Sequence, residues 1–264
     1  MCAIFGIGVQ SKHDIKSDSV IKDILERLFL CSMVRGRTAS GVVFTSPDEF
    51  KVVKTNQPAD KFIRLPEFIS AEQECVSLFD DSNPFRLVSA IGHCRLKTKG
   101  SEMMNVNNHP IVTKKVVGVH NGVIANDEVL FQSYGKLLER NGIVDSEVIF
   151  ALVDYLSGGR GIQDSIIELA KTLRGSYACA MSHVQQPHIV WLFKNGSPCD
   201  VAHFPDVGIV LWSSSIDYIK ESIKGYSLGK LEQIDFPSHS GMALDFFRNK
   251  FNLFSLEVRK SNAA

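Results

Sequence analysis

The sequence predicts an α+β domain built from layers of antiparallel sheet and helix. Short apolar runs fill the first part of the 264-residue chain, helical periodicity dominates its middle, and short apolar runs return afterwards. Strands, then helices, then strands again are typical of layered α+β domains. No repeat, low-complexity segment or Pro/Gly/Ser linker marks a boundary, so we expect one domain over residues 1–264.

The first half of the chain is predicted to be mainly strands with one early helix. Apolar residues recur at helical spacing between Val20 and Phe29, so we expect a helix that stops before Gly36. Two β-rich runs around a turn predict a hairpin, and the remaining runs are apolar enough to be buried. The predicted strands are 3–9, 41–45, 51–54, 87–94 and 116–120.

The second half predicts helices followed by strands. Helical patterns cover 126–140, 145–156 and 162–173. The strand-like runs that follow are GSYACAMS, HIVWLFKN, VGIVLWSS and MALDFFRNKFNLFSLEV. One amphipathic stretch, around Ile216–Ile223, interrupts them and predicts a short helix.

Composition excludes several classes of function. Lys and Arg total 29 and Asp and Glu total 29, so no net field recruits nucleic acid or a membrane surface. No apolar stretch approaches the roughly 20 residues of a bilayer span, and acidic residues interrupt the first 30 positions, so we expect a cytoplasmic protein. The six cysteines form no CxxC pair or Cys/His spacing, which predicts neither a disulfide framework nor a metal site, and we expect no cofactor.

Cys2 is the first candidate for chemistry. A cysteine is most often a small buried hydrophobe, and that interpretation stays open here. Removal of Met1 would however leave a thiol and a free α-amine on the same residue. Because an α-amine titrates near pH 7.7–8.0 in model compounds (about one unit from working pH), it can act as general base for its own side chain.

Three further segments carry candidate residues, each with a structural alternative. Arg95 and Thr98 in IGHCRLKTKG can bind a carboxylate, but an arginine there is also a common ion-pair residue. Asn121-Gly122 in VVGVHNGVI is either a hairpin turn or an oxyanion hole. Asp145 in GIVDSEVI is either a helix N-cap or a partner for a substrate ammonium.

The order of these motifs resembles one known family. The chain reads an N-terminal Cys, RGRTASG, GHCRLKTKG, NNHP, VHNGVI, DSEVI, LRGSYACAM, FKNGSP and WSSS. This series resembles the class II glutamine amidotransferase domain of the N-terminal nucleophile hydrolases. The resemblance covers nearly the whole chain, so we expect a stand-alone glutaminase domain with the fold of that family, a four-layer αββα sandwich of two antiparallel sheets flanked by helices.

The resemblance implies roles for eight residues. Cys2 would attack the side-chain amide of L-glutamine to form a thioester, while Asn121 and Gly122 would stabilise the oxyanion. Arg95 and Thr98 would bind the α-carboxylate of glutamine, and Asp145 its α-ammonium. Arg35 and His109 would also belong to the substrate-binding site, where they would shape the surroundings of the nucleophile. Ammonia would pass to a separate synthetase whose acceptor the sequence does not name, and the oligomeric state is open.

Four positions depart from the usual pattern of the family, and one of them is Ile111, where another histidine is frequent. Ala3 stands where glycine is usual, Thr38 where aspartate is common, and Lys99 where several members have histidine. Two other functions therefore stay open: an N-terminal cysteine amidohydrolase acting on another amide, and a catalytically silent binding module of the same fold.

Overall fold

Two antiparallel sheets form the centre of the molecule in residues 1–77 and 86–257, the part of the chain that this computed structural model describes. The first sheet has seven strands in the order β11-β9-β10-β1-β4-β2-β3. These strands are β1 (Ala3–Val9), β2 (Ala39–Thr45), β3 (Phe50–Thr55), β4 (Ser89–Arg95), β9 (Asp200–Phe204), β10 (Ile209–Ser213) and β11 (Glu232–Ile234).

The second sheet has six strands in the order β13-β12-β8-β7-β6-β5. These strands are β5 (Ile111–Val112), β6 (Val116–Ile124), β7 (Gly175–His183), β8 (Ile189–Asn195), β12 (Ser240–Asp245) and β13 (Lys250–Ser255). The helices are α1 (Asp18–Ser32), α2 (Ala59–Phe62), α3 (Pro66–Cys75), α4 (Asp127–Tyr134), α5 (Glu147–Leu156), α6 (Ile162–Thr172) and α7 (Ile216–Ser222). Two 3₁₀ turns lie at Asn105–Asn107 and Gly135–Leu137.

Three apolar cores separate four layers. Residues of α1, α2, α3 and α7 pack on one face of the first sheet, and residues of α4, α5 and α6 pack on one face of the second. Side chains such as Ile4, Trp212 and Leu192 fill the space between the two sheets. The predicted αββα sandwich is therefore confirmed.

The alternation of β1 explains why this strand is central. Phe5 and Ile7 point into the core beneath the helices, whereas Ile4 points between the sheets. A Cβ at Gly6 would lie 2.1 Å from the ring of Trp212, so glycine leaves the space that this indole fills. Apolar residues therefore cover both faces of the strand, as its continuous apolar sequence predicts.

Several predicted elements differ in extent from those observed. The predicted helix 126–140 is divided at Gly135, whose φ of +53° ends α4. The closing apolar run contains two strands, β12 and β13, because a turn with Asn249 at φ +53° separates them. The strand predicted over 116–120 continues to Ile124. None of the helices in the two described ranges is long and apolar enough to cross a membrane.

Candidate active site

Cys2 lies at the end of a central strand and not on a free tail. The next residue, Ala3, pairs with Cys94 of β4. Ile4 is held by Ser214, whose hydroxyl accepts the Ile4 N–H at 3.0 Å and whose own N–H donates to the Ile4 carbonyl at 2.9 Å. Pairing on both sides of β1 thus fixes the backbone that carries the thiol.

The thiol contacts the start of the loop that follows β4. Its Sγ accepts the Leu96 N–H at 3.3 Å and lies 3.4 Å from the Leu96 carbonyl oxygen. Burial raises the pKa of the Cys2 thiol, and the Leu96 N–H and the charge of Arg95 offset part of that rise. The thiol therefore requires a base to become a nucleophile at neutral pH. Arg35 holds the backbone of the same residue, because its Nε donates to the Cys2 carbonyl oxygen at 2.9 Å.

Asn121 and Gly122 lie inside β6, so the interpretation as a hairpin turn is wrong. They pair with Ala178 and Tyr177 of β7. Gly122 has a φ of +147°, and a Cβ there would lie 2.0 Å from the Ser176 carbonyl oxygen, so the position requires glycine. Asn121 is 1% exposed, and its Nδ2 and Oδ1 have no hydrogen-bond partner among the described residues. Such buried unpaired groups are rare and call for a functional explanation.

Arg95 is a buried residue at the end of β4, with 3% of its surface exposed. Its guanidinium donates to Asn108 Oδ1 at 2.7 Å and to the carbonyl oxygens of Lys99 and Gly100 at 2.7 and 2.9 Å. These three hydrogen-bond acceptors are neutral oxygens, whereas the structural alternative of an ion-pair residue requires a carboxylate. Thr98 is exposed in the loop beyond.

Asp145 is buried and precedes α5, which begins at Glu147 with Ser146 as its N-cap residue. Its Oδ2 accepts the backbone N–H of Ile124 at 2.8 Å. The interpretation of Asp145 as the helix N-cap is therefore wrong, because the carboxylate points to β6.

The structure brings most of the predicted residues around one narrow cleft. Its central space is about 20 Å³, which is roughly the room that one water molecule needs. The predicted residues that line it are Cys2, Arg95, Thr98, His109, Gly122 and Asp145. Asn121 is adjacent to Gly122 in the same strand, and Arg35 contacts the backbone of Cys2.

Three buried histidines, His93, His109 and His120, lie close together at this cleft. The sequence-based prediction assigns a role only to His109. The rings of His93 and His109 stack with centroids 4.1 Å apart. His93 Nε2 lies 3.1 Å from the His120 carbonyl oxygen, and His120 Nδ1 lies 2.8 Å from Ser146 Oγ. Burial lowers the pKa of His93 to about 3 and also lowers the pKa values of His109 and His120, so all three are neutral near pH 7. The histidines inside the GHCR and VHNG motifs are the sequence signal for this cluster.

The site contains a thiol nucleophile, hydrogen-bond donors for an oxyanion, and side chains of both charges. In residues 1–77 and 86–257, no group of three or more His, Cys, Asp or Glu side chains is arranged to hold a metal ion.

Two known proteins with similar sequences have glutamine in their names. No protein-family model matches the chain. A glutamine–fructose-6-phosphate aminotransferase of Bradyrhizobium diazoefficiens is 32% identical over 210 residues, which cover 77% of this chain and 30% of that protein. The chain carries a class II glutamine amidotransferase domain. The corresponding enzyme of Thermococcus kodakarensis is 30% identical over 206 residues, covering 75% of this chain and 30% of that protein.

The other similarities are to one more distant sequence relative and to one solved structure of the same fold. A 7-cyano-7-deazaguanine synthase of Sulfolobus acidocaldarius is 24% identical over 219 residues, covering 83% of this chain and 44% of that protein. A solved glutamine phosphoribosylpyrophosphate amidotransferase of B. subtilis superposes on 98% of this chain and 50% of its own, with a TM-score of 0.69 and 17% identity. The chain thus spans less than half the length of the curated relatives described here.

The departures from the usual class II sequence are accommodated in the structure. Ala3 fits in the extended backbone of β1 and is fully buried. Thr38 binds the Arg95 carbonyl oxygen twice, through its hydroxyl at 2.8 Å and its N–H at 2.9 Å. Lys99 forms ion pairs with Asp127 and Glu128. These substitutions leave Cys2 and its neighbours in contact.

Proposed function

We propose that this domain hydrolyses L-glutamine to glutamate and ammonia, with Cys2 as the nucleophile. The observation that carries the proposal is the unpaired buried amide of Asn121 beside Gly122, in a strand that borders the same cleft as the Cys2 thiol. An amide N–H and a glycine N–H are suitable donors for a developing oxyanion.

The reaction begins with a free α-amine on Cys2. Met1 is exposed ahead of β1, so its removal is sterically open. The amine takes the thiol proton as Sγ attacks the side-chain carbonyl carbon of glutamine, and the carbonyl π electrons move to oxygen. Nδ2 of Asn121 and the N–H of Gly122 stabilise this oxyanion. When the oxyanion collapses, the C–N bond breaks and the amine returns the proton to the leaving nitrogen, releasing ammonia and a glutamyl thioester.

Water completes the cycle. The α-amine removes a proton from a water molecule, whose oxygen attacks the thioester carbonyl carbon. The C–S bond then breaks, and the thiolate recovers the proton as glutamate leaves. The sum of both halves is glutamine plus water giving glutamate plus ammonia, so no cofactor or redox partner is required.

The charges around the cleft support a free amino acid as the substrate. Arg95, together with the hydroxyl of Thr98, would bind the α-carboxylate, since a guanidinium has five donors and three hydrogen bonds of Arg95 are described. Asp145 would bind the α-ammonium with the carboxylate that Ile124 already orients. A site charged for both ends of a zwitterion disfavours simple primary amides.

We further propose that the ammonia passes to an acceptor enzyme. The curated relatives are more than twice as long as the region that they share with this chain, and their names describe transfer or synthesis reactions. Exposed apolar residues adjoin residues of the cleft and support a docking face there. These residues are Val34, Leu96, Val123 and Ile143.

All six cysteines are free, which supports a reducing, cytoplasmic compartment.

The decisive experiment combines intact mass with glutamate release on one preparation. We expect a protein that lacks Met1, releases glutamate from glutamine, and gains one adduct with the glutamine analogue diazo-oxo-norleucine. Cys2→Ala should remove both turnover and adduct while leaving the unfolding temperature close to wild type.

Other results would identify a different function. Turnover of other amides at rates that exceed glutamine would indicate a different N-terminal cysteine amidohydrolase. Processed protein without adduct or turnover, with and without candidate acceptor enzymes, would indicate a silent binding module.

A further inference from the structure

The loop after β4 must be held in place if Arg95 and Thr98 bind glutamine. Leu96, Lys97 and Thr98 are all exposed in this loop. Arg95 donates to the carbonyl oxygens of Lys99 and Gly100, so the position of the loop and the position of the guanidinium are linked.

Lys99 connects this loop to another part of the fold. Its Nζ binds Asp127 and lies 2.9 Å from Glu128 Oε1, both in the first turn of α4. The Asp127 side chain is only 8% exposed, so this ion pair is shielded from solvent on one side. Burial lowers the pKa of Lys99, but the hydrogen bonds to the two carboxylates outweigh this and hold the pKa above its ordinary value.

One of these carboxylates, Glu128, also connects α4 to the segment that carries Asp145. Arg140 binds Glu128 with two parallel hydrogen bonds, at 2.7 Å each, and its Nε donates to the Gly142 carbonyl at 3.1 Å. The hydrogen bonds from Arg140 and then Lys99 lower the pKa of Glu128 to about 2, so the network stays charged at neutral pH. The Arg140 guanidinium also lies 4.6 Å from the centre of the Phe131 ring.

We infer that Lys99 is a positioning residue whose ion pairs with Asp127 and Glu128 hold the 96–100 loop against the 140–145 segment in its substrate-binding position. The inference rests on the proposed function, because it assigns the two ends of the clamp to glutamine. Lys99 also lines the cleft, but its Nζ is engaged by the two carboxylates of α4, so the role inferred for it is to position the loop. It acts by fixing the distance between Arg95 and Thr98 on one side and Asp145 on the other.

A second contact, made by Asn107, limits how far the loop can move when Lys99 is replaced. Asn107 is fully buried, donates to the Ser101 carbonyl at 2.9 Å and accepts the Ile143 N–H at 3.0 Å. This neutral contact joins Ser101, which directly follows the loop, to the 140–145 segment, so the end of the loop stays attached when the ion pairs are broken. We therefore expect a graded loss of binding and not a loss of folding.

Lys97 provides the matched control. It lies in the same loop and forms an ion pair with Glu102 at 2.8 Å, but that partner belongs to the same segment of chain. Breaking the Lys97 pair removes a loop charge without detaching the loop from α4. A difference between Lys97 and Lys99 variants therefore reports the tie between segments, not the loss of a surface charge.

The test measures kcat and KM for glutamine in Lys99→Ala, Lys99→Arg, Glu128→Gln and Lys97→Ala. A smaller population of the closed loop raises apparent KM in proportion, so Lys99→Ala and Glu128→Gln should raise KM about threefold to tenfold with kcat within about twofold. Lys99→Arg should restore most of the affinity, and Lys97→Ala should match wild type. Wild-type KM should rise more steeply with NaCl than the KM of Lys99→Ala.

Hydrogen exchange of the loop supplies a readout that needs no activity. Peptides covering residues 96–104 should exchange roughly threefold to tenfold faster in Lys99→Ala than in Lys97→Ala. A wild-type KM and wild-type exchange in Lys99→Ala would overturn the inference, as would equal effects of the two lysines. Absence of turnover and adduct in the wild type, with faster loop exchange in Lys99→Ala alone, would contradict the proposed function but leave the tether in place.

Discussion

The carboxylate of Asp145 accepts the backbone N–H of Ile124 at 2.8 Å, two residues beyond Gly122. This contact links the residue proposed to bind the substrate ammonium with the strand proposed to hold the oxyanion. One end of the bound glutamine and its reacting carbonyl are therefore positioned by neighbouring groups of the same strand and loop. Proximity of this kind reduces the freedom of a bound substrate before the chemical step.

Replacement of Asp145 by asparagine should separate its charge from its structural contact. In Asp145→Asn the side-chain amide oxygen can still accept the Ile124 N–H, but the negative charge is lost. Because hydrogen bonds to charged groups contribute about 1.5–3 kcal/mol, KM for glutamine should rise roughly 10-fold to 100-fold with a small change in kcat. Asp145→Ala should in addition lower the free energy of unfolding by about 1–3 kcal/mol, since the Ile124 N–H loses its partner. An unchanged KM in Asp145→Asn would contradict the proposed role.

Replacement of Asn121 should act on the chemical step. The Asn121 amide is buried without a partner among residues 1–77 and 86–257, so it is available to an oxyanion. Asn121→Ala should lower kcat for glutamine about 100-fold to 1000-fold, as expected for loss of one oxyanion donor, and change KM little. Steady-state kinetics on processed protein would measure this. The exposed Asn252 serves as control, because Asn252→Ala should leave both constants unchanged; a loss confined to KM in Asn121→Ala would argue against an oxyanion hole.

The backbone at Gly122 should tolerate no side chain. Gly122→Ala combines a φ of +147° with a Cβ placed 2.0 Å from the Ser176 carbonyl oxygen. We expect the free energy of unfolding to fall by roughly 2–4 kcal/mol, measured by urea denaturation. Gly159→Ala is the matched control, since a Cβ there meets no described atom within 4 Å and should change stability by less than about 1 kcal/mol. Equal stability of the two variants would refute this explanation for glycine.

Periodicity was sufficient to predict the elements whose apolar pattern is continuous. β1, the hairpin of β2 and β3, and α6 all follow from local sequence. β9 was not predicted because Asp200 and His203 interrupt its apolar pattern. β11 was not predicted because it is only three residues long. Their pairing is decided by neighbouring strands, which a local pattern does not contain.

The site was predictable to the extent that its chemistry is carried by short motifs. Cys2, Arg95 and Asp145 were recognised because their types and order fit one reaction. The partners of Lys99 were not predictable, because Asp127 and Glu128 are 28 and 29 positions away and belong to a different element. The stack of His93 on His109 likewise depends on how a strand and a loop meet in space.

A last prediction concerns pH and the buried carboxyl of Glu72, far from the proposed chemistry in sequence. Burial, with the neighbouring charge of Glu26, raises the pKa of Glu72 in α3 to about 8. The folded protein then binds this proton more tightly than the unfolded chain does. The contribution of this group to the free energy of unfolding is therefore largest below the ordinary glutamate pKa. It decreases as the pH rises and is lost once the pH passes about 8.

The free energy of unfolding should consequently decrease by roughly 1–3 kcal/mol between pH 5 and pH 8 through this one group. Glu72→Gln keeps the shape of the side chain without the titration, so urea unfolding should depend less on pH and the variant should be more stable than wild type at pH 8. Glu67→Gln, an exposed position in the same helix, should keep the wild-type pH profile. Identical profiles for wild type and Glu72→Gln would mean that Glu72 titrates near its ordinary value, and that α3 packs with its carboxyl hydrated.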